Sequence, residues 1–187
     1  MKYHFGNQWA SSASLWLLVL FAANSAHLEA QGLDPDSTAA VRLERTPCFG
    51  LCMAYQVELD SRGMVRFTGL EQLSGRIDSV RIDPDSVRLL AAEFTEAGFF
   101  GFDSAYVAGT APCGVAATDM PSAILTLRWR GRTKRVQYYY GCTGLPSDAP
   151  TDSLIERTEN PRGVLGVLAR LAKRVDMIAH TSRWLSR

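Results

Sequence analysis

The hydrophobic period changes repeatedly along this chain, and those changes limit it to few architectures. Val41–Thr46 (VRLERT) alternates apolar and charged residues, as a half-buried strand does, and Pro47 ends it. Tyr55, Val57 and Leu59 alternate with Gln56, Glu58 and Asp60 in a second strand. Ser61-Arg62-Gly63 is a tight connection into a third strand, Met64–Leu70. Leu73–Ile82 reads as a fourth, with Leu73, Gly75 and Ile77 on one face and Gly75 marking a bulge. The period then becomes helical. Asp83 is a good N-cap, Pro84 suits the first helical position, and Val87, Leu90, Ala91 and Phe94 recur at helical spacing. Gly98 closes the helix in the left-handed conformation, and Phe99, Phe100 and Phe102 plug the core edge.

Residues 103–121 read as a long irregular loop that must be tied down or functional. Ala123–Arg130 and Thr133–Gly141 are the fifth and sixth strands, turned at Gly131-Arg132. A last helix starts near Pro161. Its stripe runs through Val164, Leu165, Val167, Leu168, Leu171, Ala172, Val175 and Ile178, with Arg170, Lys173 and Arg174 opposite. The order β-β-β-β-α-β-β-α specifies an α+β domain, an antiparallel sheet of about six strands with two helices packed on one face.

The N-terminus carries a different signal. Residues 15–23 (LWLLVLFAA) are uncharged and apolar, too short for the roughly 20 residues of a membrane span. Lys2 precedes the run and small residues follow it, the plan of a secretory signal. Cleavage is expected after Ala30 or Ala26; the alternative is an uncleaved anchor. The first cysteine, Cys48, lies far from the run, which argues against a lipid-modified N-terminus. Residues 31–40 form a polar linker to a single domain at 41–187. The expected location is periplasmic or extracellular, with no membrane anchor after cleavage.

Composition removes several chemistries. The histidines are His4, His27 and His180, so the mature chain keeps only His180. This argues against Ser-His-Asp catalysis and His-rich metal sites. The lysines are Lys2, Lys134 and Lys173, none in a recognisable pocket motif. A net charge of +1 gives no general attraction to nucleic acid or anionic membranes.

Four cysteines, Cys48, Cys52, Cys113 and Cys142, are expected to be paired in an exported chain, with three connectivities open. Arg45-Thr46-Pro47-Cys48-Phe49-Gly50-Leu51-Cys52 followed by Tyr55 resembles the signature of a bacterial family named domain of unknown function 6438. The resemblance continues through Phe99-Phe100, Thr118-Asp119-Met120-Pro121, Val136–Gly141 and Ile178–Trp184. It spans about residues 41–186. The family has proline after the second cysteine, where this chain has Met53, and glycine where it has His180, which argues against catalysis by His180. Cys113 and Cys142 lie outside the signature. The resemblance therefore implies Cys48–Cys52 and Cys113–Cys142 bonds. The family's activity is not established.

Each candidate residue has a chemical and a structural reading. Cys48 and Cys52 could exchange disulfides if one were a stabilised thiolate, but their spacing is C-x₃-C and no helix pattern begins at Cys48. A staple is the favoured reading. Zinc held by four thiolates lacks the short paired spacings, and no haem motif is present. Arg128, Arg130, Arg132, Lys134 and Arg135 make a basic hairpin that could take an anionic ligand. Alternation places Arg128 and Arg130 away from Trp129, which favours a solvated tip. Asp119 is expected to shape its loop, with Arg45 as its partner. Trp184 is expected to dock the helix end. No catalytic residue, metal site or cofactor is identified. The expectation is an exported, disulfide-stapled binding or structural module, with a thiol–disulfide redox protein using Cys48 and Cys52 as the alternative.

Overall fold

The computed structural model describes residues 38–159 and 161–185, all within the unit Leu33–Arg187. The apolar run at 15–23 and both expected cleavage positions lie outside the described residues. Strands β1 (Ala40–Arg45), β2 (Tyr55–Asp60), β3 (Met64–Gly69) and β4 (Ile77–Arg81) form an antiparallel meander. Helix α1 (Pro84–Glu96) follows, then the two-residue β5 (Ala105–Tyr106), β6 (Ser122–Trp129) and β7 (Arg132–Tyr139). Helices α2 (Thr151–Glu159) and α3 (Gly163–Ala179) and a closing turn α4 (Ser182–Leu185) complete the chain. The sheet order is β4-β3-β2-β1-β6-β7-β5, antiparallel except where β5 runs parallel to β7. Among the described residues no helix is long and apolar enough to cross a membrane.

The sheet works because its registers align the apolar positions. Leu43 sits opposite Val57 on one side and Leu125 on the other, and Val57 opposite Phe67. With Val41, Leu59, Val65, Leu127, Val136 and Tyr138 these make one fully buried face. Helix α1 covers it with Val87, Leu90, Ala91 and Phe94, and α3 with Leu165, Leu168, Leu171, Ala172 and Val175. The alternate side chains, among them Arg66, Arg128, Thr133 and Arg135, are exposed on the other face.

The local signals at α1 hold. The Asp83 carboxylate accepts from the Asp85 amide at 2.9 Å, Pro84 is the first helical residue, and Gly98 is left-handed (φ +77°). Phe99 is buried and meets Phe94 edge-on, with ring centroids 4.9 Å apart. Trp184 plugs the core as expected: it stacks on Phe67 at 4.7 Å and its indole donates to Asp78 at 2.7 Å.

The strand and helix counts differ from expectation. Among the described residues the sheet has seven strands, not six, because β5 lies inside the expected 103–121 loop and two residues are too few to show a period. Helix α2 escapes the hydrophobic pattern because none of its side chains is buried. The expected strand Leu73–Ile82 begins only at Ile77. Leu73 ends a 3₁₀ turn at Glu71–Leu73, and Gly75 (φ +82°) sits in the bend that follows it, not in a strand bulge. Ile77 faces Thr68 on the uncovered side and is exposed. The β6–β7 turn is Arg130-Gly131, both at positive φ, which is the two-residue turn whose twist matches the strands.

Both disulfides are present, Cys48–Cys52 and Cys113–Cys142. The second ties down the long loop. Around it, segments 113–117 and 141–145 pair through main-chain bonds, including Val115 N to Leu145 O at 2.8 Å and Ala117 N to Gly141 O at 2.9 Å. Gly141 is required there, since a Cβ would lie 2.2 Å from the Ala117 carbonyl oxygen. Closing a 30-residue ring limits the unfolded chain by about 3.6 kcal/mol, against about 2 kcal/mol for a five-residue ring. Urea unfolding is therefore expected to show a larger stability loss for Cys113→Ala/Cys142→Ala than for Cys48→Ala/Cys52→Ala. The reverse order would contradict the assigned roles.

Candidate functional site

The candidate site grows from the end of β1. The period of two places Arg45 on the covered face, in line with Val41 and Leu43. A guanidinium there loses water and must find partners. Its Nη2 donates to Asp176 Oδ2 at 2.6 Å, and its Nε to the same oxygen at 3.0 Å and to the Tyr55 hydroxyl at 3.1 Å. Nη1 donates to the Tyr140 hydroxyl at 2.7 Å. Asp176 Oδ1 accepts from the Tyr55 hydroxyl at 2.6 Å and from Thr181 Oγ1 at 3.1 Å. One network thus joins β1, β2, the end of β7, α3 and the turn after it.

This corrects the expected Arg45–Asp119 pair. Arg45 points under α3, whereas Asp119 is exposed on the loop before β6 and holds a left-handed backbone (φ +65°). Asp119 acts through its carbonyl, which accepts the Phe49 amide at 3.3 Å. Thr46 completes the join: its amide donates to Ser122 O at 3.0 Å, and its Oγ1 accepts the Ser122 amide at 2.8 Å. The segments Arg45–Cys52 and Thr118–Pro121 therefore meet.

The ring Cys48–Cys52 projects from this join. Phe49 is 89% exposed and Leu51 82%. Cys48 and Cys52 are half-buried, whereas Cys113 and Cys142 are fully buried. All four thiols are spent in disulfides. Among the described residues no three His, Cys, Asp or Glu side chains are grouped to hold a metal ion.

The family model described as Domain of unknown function (DUF6438) matches residues 39–156. The chain belongs to this family. No curated protein matches the chain. The DUF6438 match takes in β1 through most of α2 and stops before α3. Asp176 therefore lies outside it, although it neutralises the arginine that opens the signature. His180 ends α3 in the left-handed conformation (φ +53°), which glycine tolerates best.

The basic hairpin is dispersed. Arg130 Cζ lies 5.3 Å from the Trp129 ring centroid and Arg132 Cζ lies 4.0 Å from that of Phe100. Arg128 donates to the Thr38 carbonyl at 3.2 Å. Arg130 meets Trp129 because its positive φ takes it out of the strand alternation that would have kept them apart. Arg135 is exposed on the uncovered face opposite Thr126, and Lys134 is opposite Leu127. The patch thus does not converge on one point.

Sequence reasoning missed Asp176, Tyr140 and Thr181. A signal was available: Asp176 is the one carboxylate in a helix whose other charges are Arg170, Lys173 and Arg174.

Burial raises the Tyr55 hydroxyl pKa; the Asp176 charge adds to this and Arg45 opposes it. Burial, with Tyr140 beside it, also raises Tyr138, whose buried hydroxyl has no hydrogen-bond partner among the described residues. For Arg45, burial works against the charge but is outweighed by Tyr140, Asp176 and Tyr55, so its pKa is raised. The fold thus favours the neutral phenols. Their contribution to stability is full below the unfolded tyrosine pKa of about 10 and is lost as pH rises through the higher folded values. An ultraviolet titration of the folded protein should show Tyr55 and Tyr138 resisting ionisation near pH 10, and Tyr55→Phe should remove one of the delayed groups. Ionisation of all tyrosines together in the folded state would contradict the network.

Proposed function

We propose that the domain is an exported binding module whose contact element is the disulfide-closed ring Cys48–Cys52, presenting Phe49 and Leu51 to an apolar pocket on a partner protein. Residues 1–30 serve as the cleaved export signal and 31–40 as a linker to the domain at 41–187. The observation that carries the reading is the exposure of two large apolar side chains, 89% and 82%, on a closed ring. A flexible loop would lose affinity to ordering, whereas a closed ring anchored at Thr46, Phe49 and Asp119 is already ordered. A protruding aromatic with an aliphatic neighbour is the kind of anchor that dominates an interface. Residues 46–54 carry no charge, so anionic lipid offers this loop no electrostatic gain. The two disulfides favour an oxidising compartment, periplasmic or extracellular.

Thiol exchange at Cys48–Cys52 is a second reading, favoured by the half-exposed position of these sulfurs beside the buried second pair. A reduction potential below about −300 mV marks the pair as a staple, and a markedly higher one moves the function to exchange.

The binding reading is tested with Phe49→Ser/Leu51→Ser. Burying each side chain is worth about 1.5–3 kcal/mol, so the double variant should weaken partner binding more than about a hundredfold while unfolding like the parent. Cross-linking to exported proteins of the source cell, with a photoreactive group at Leu51, supplies the partner. A partner bound equally by both forms, or partition of the parent into neutral vesicles with no protein cross-linked, would overturn the reading.

A further inference from the structure

Within the described residues the two edges of the sheet differ. β5 is two residues long, too short to template another strand, whereas β4 presents five residues, Ile77–Arg81, with Ile77 exposed. The Gly69 amide donates to Arg76 O at 2.8 Å and the Ile82 amide to Gly63 O at 2.9 Å. The antiparallel register between them sets Asp78 opposite Phe67 and Val80 opposite Val65. Main-chain groups alternate in direction along such a strand, so Asp78 and Val80 spend theirs on β3. The amides and carbonyls of Ile77, Ser79 and Arg81 point away from the sheet, and among the described residues no other strand lies beside them.

Three outward-facing residues at a spacing of two make an edge that is complementary to itself. A two-fold axis through Ser79 would set Ser79 against its own copy, Ile77 against Arg81 and Asp78 against Val80, with no like charges opposed. One donor of that register is already taken. The Ser79 amide donates to Asp78 Oδ1 at 2.7 Å. The other oxygen of the same carboxylate, Oδ2, accepts the Trp184 indole at 2.7 Å. Trp184 is fixed in turn, since its ring stacks on Phe67 and its carbonyl accepts from Arg76 Nη1. The Trp184 indole first, then the Ser79 amide and the Arg183 charge, hold the Asp78 carboxyl below its ordinary pKa, against an opposing loss of hydration.

We propose that the Asp78–Trp184 contact is a latch that keeps β4 from pairing with β4 of a second copy of this chain. With α4 docked, the carboxylate occupies the central donor of the two-fold register. With α4 released, the carboxylate is free to turn away and the edge becomes a template. A second copy is the occupant because the outward positions are symmetrical about Ser79, and the apolar stem of Arg81 can lie along the exposed Ile77 across the seam. The latch is independent of the ring at Cys48–Cys52, which leaves the sheet from β1.

Sedimentation equilibrium and amide hydrogen exchange on the folded protein test the latch, with melting temperatures read beside them so that only folded variants are scored. Asp78→Ala should associate at least about tenfold more tightly than the parent, because the pairing recovers the Ser79 amide of both copies. Its Ser79 amide should be protected only at concentrations where it is dimeric, whereas the parent's is protected at every concentration. Trp184→Phe keeps a ring on Phe67 but removes the indole donor, and should fall between the parent and Asp78→Ala. Adding Ser79→Pro to Asp78→Ala should restore the parent's behaviour, since proline lacks the donor and is tolerated where an edge amide faces solvent. Asp78→Ala remaining monomeric up to about 1 mM, a double variant that associates as tightly as Asp78→Ala, or a parent that already dimerises through β4 would overturn the proposal.

Discussion

The Arg45–Asp176 pair is the constraint on which the architecture turns. β1 is the strand between β2 and β6, so every side chain on its covered face must be packed or paired. Val41 and Leu43 are packed, whereas Arg45 must be paired. Its partner comes from α3, 131 residues along the chain. Tyr140 takes Nη1 of the guanidinium and Tyr55 shares Nε with Asp176, while Thr181 and Tyr55 satisfy the far oxygen of Asp176. Removing either charge would strand the other in a partly desolvated site, the costly way to break such a pair. Helix α3 is thereby held on the sheet by one specific contact as well as by its apolar stripe.

The signature ring is a consequence of that anchor. The chain leaves the sheet directly after Arg45, so the ring is built outward from a fixed residue. Thr46 locks to Ser122, Phe49 to the Asp119 carbonyl, and the disulfide closes the remainder. Energy invested below the surface is what permits Phe49 and Leu51 to stand exposed without collapsing onto the core.

Much of this was legible in the sequence, for identifiable reasons. Strands β2 and β3 show a clean period of two because one face is covered and the other wetter, whereas the first four residues of β6 are all buried and its period emerges only towards Trp129. Helix α1 was bounded by Asp83 and Gly98, whose local chemistry does not depend on the rest of the fold. Strand β5 and helix α2 were not legible, because one is two residues long and the other buries nothing. The partner of Arg45 was misread for a different reason. Proximity of two motifs in a signature says that they meet, and they do, but through main-chain and Thr46 contacts. The charge on Arg45 was matched by a helix residue with no motif around it.

The brace exists only if Arg45 and Asp176 are energetically coupled. A double-mutant cycle with Arg45→Gln, Asp176→Asn and the combination, measured by urea unfolding, isolates that term. Each single change is predicted to cost about 2 kcal/mol and the pair to cost clearly less than the sum, giving a coupling of at least about 1 kcal/mol. Additive losses, with a coupling near zero, would contradict the brace.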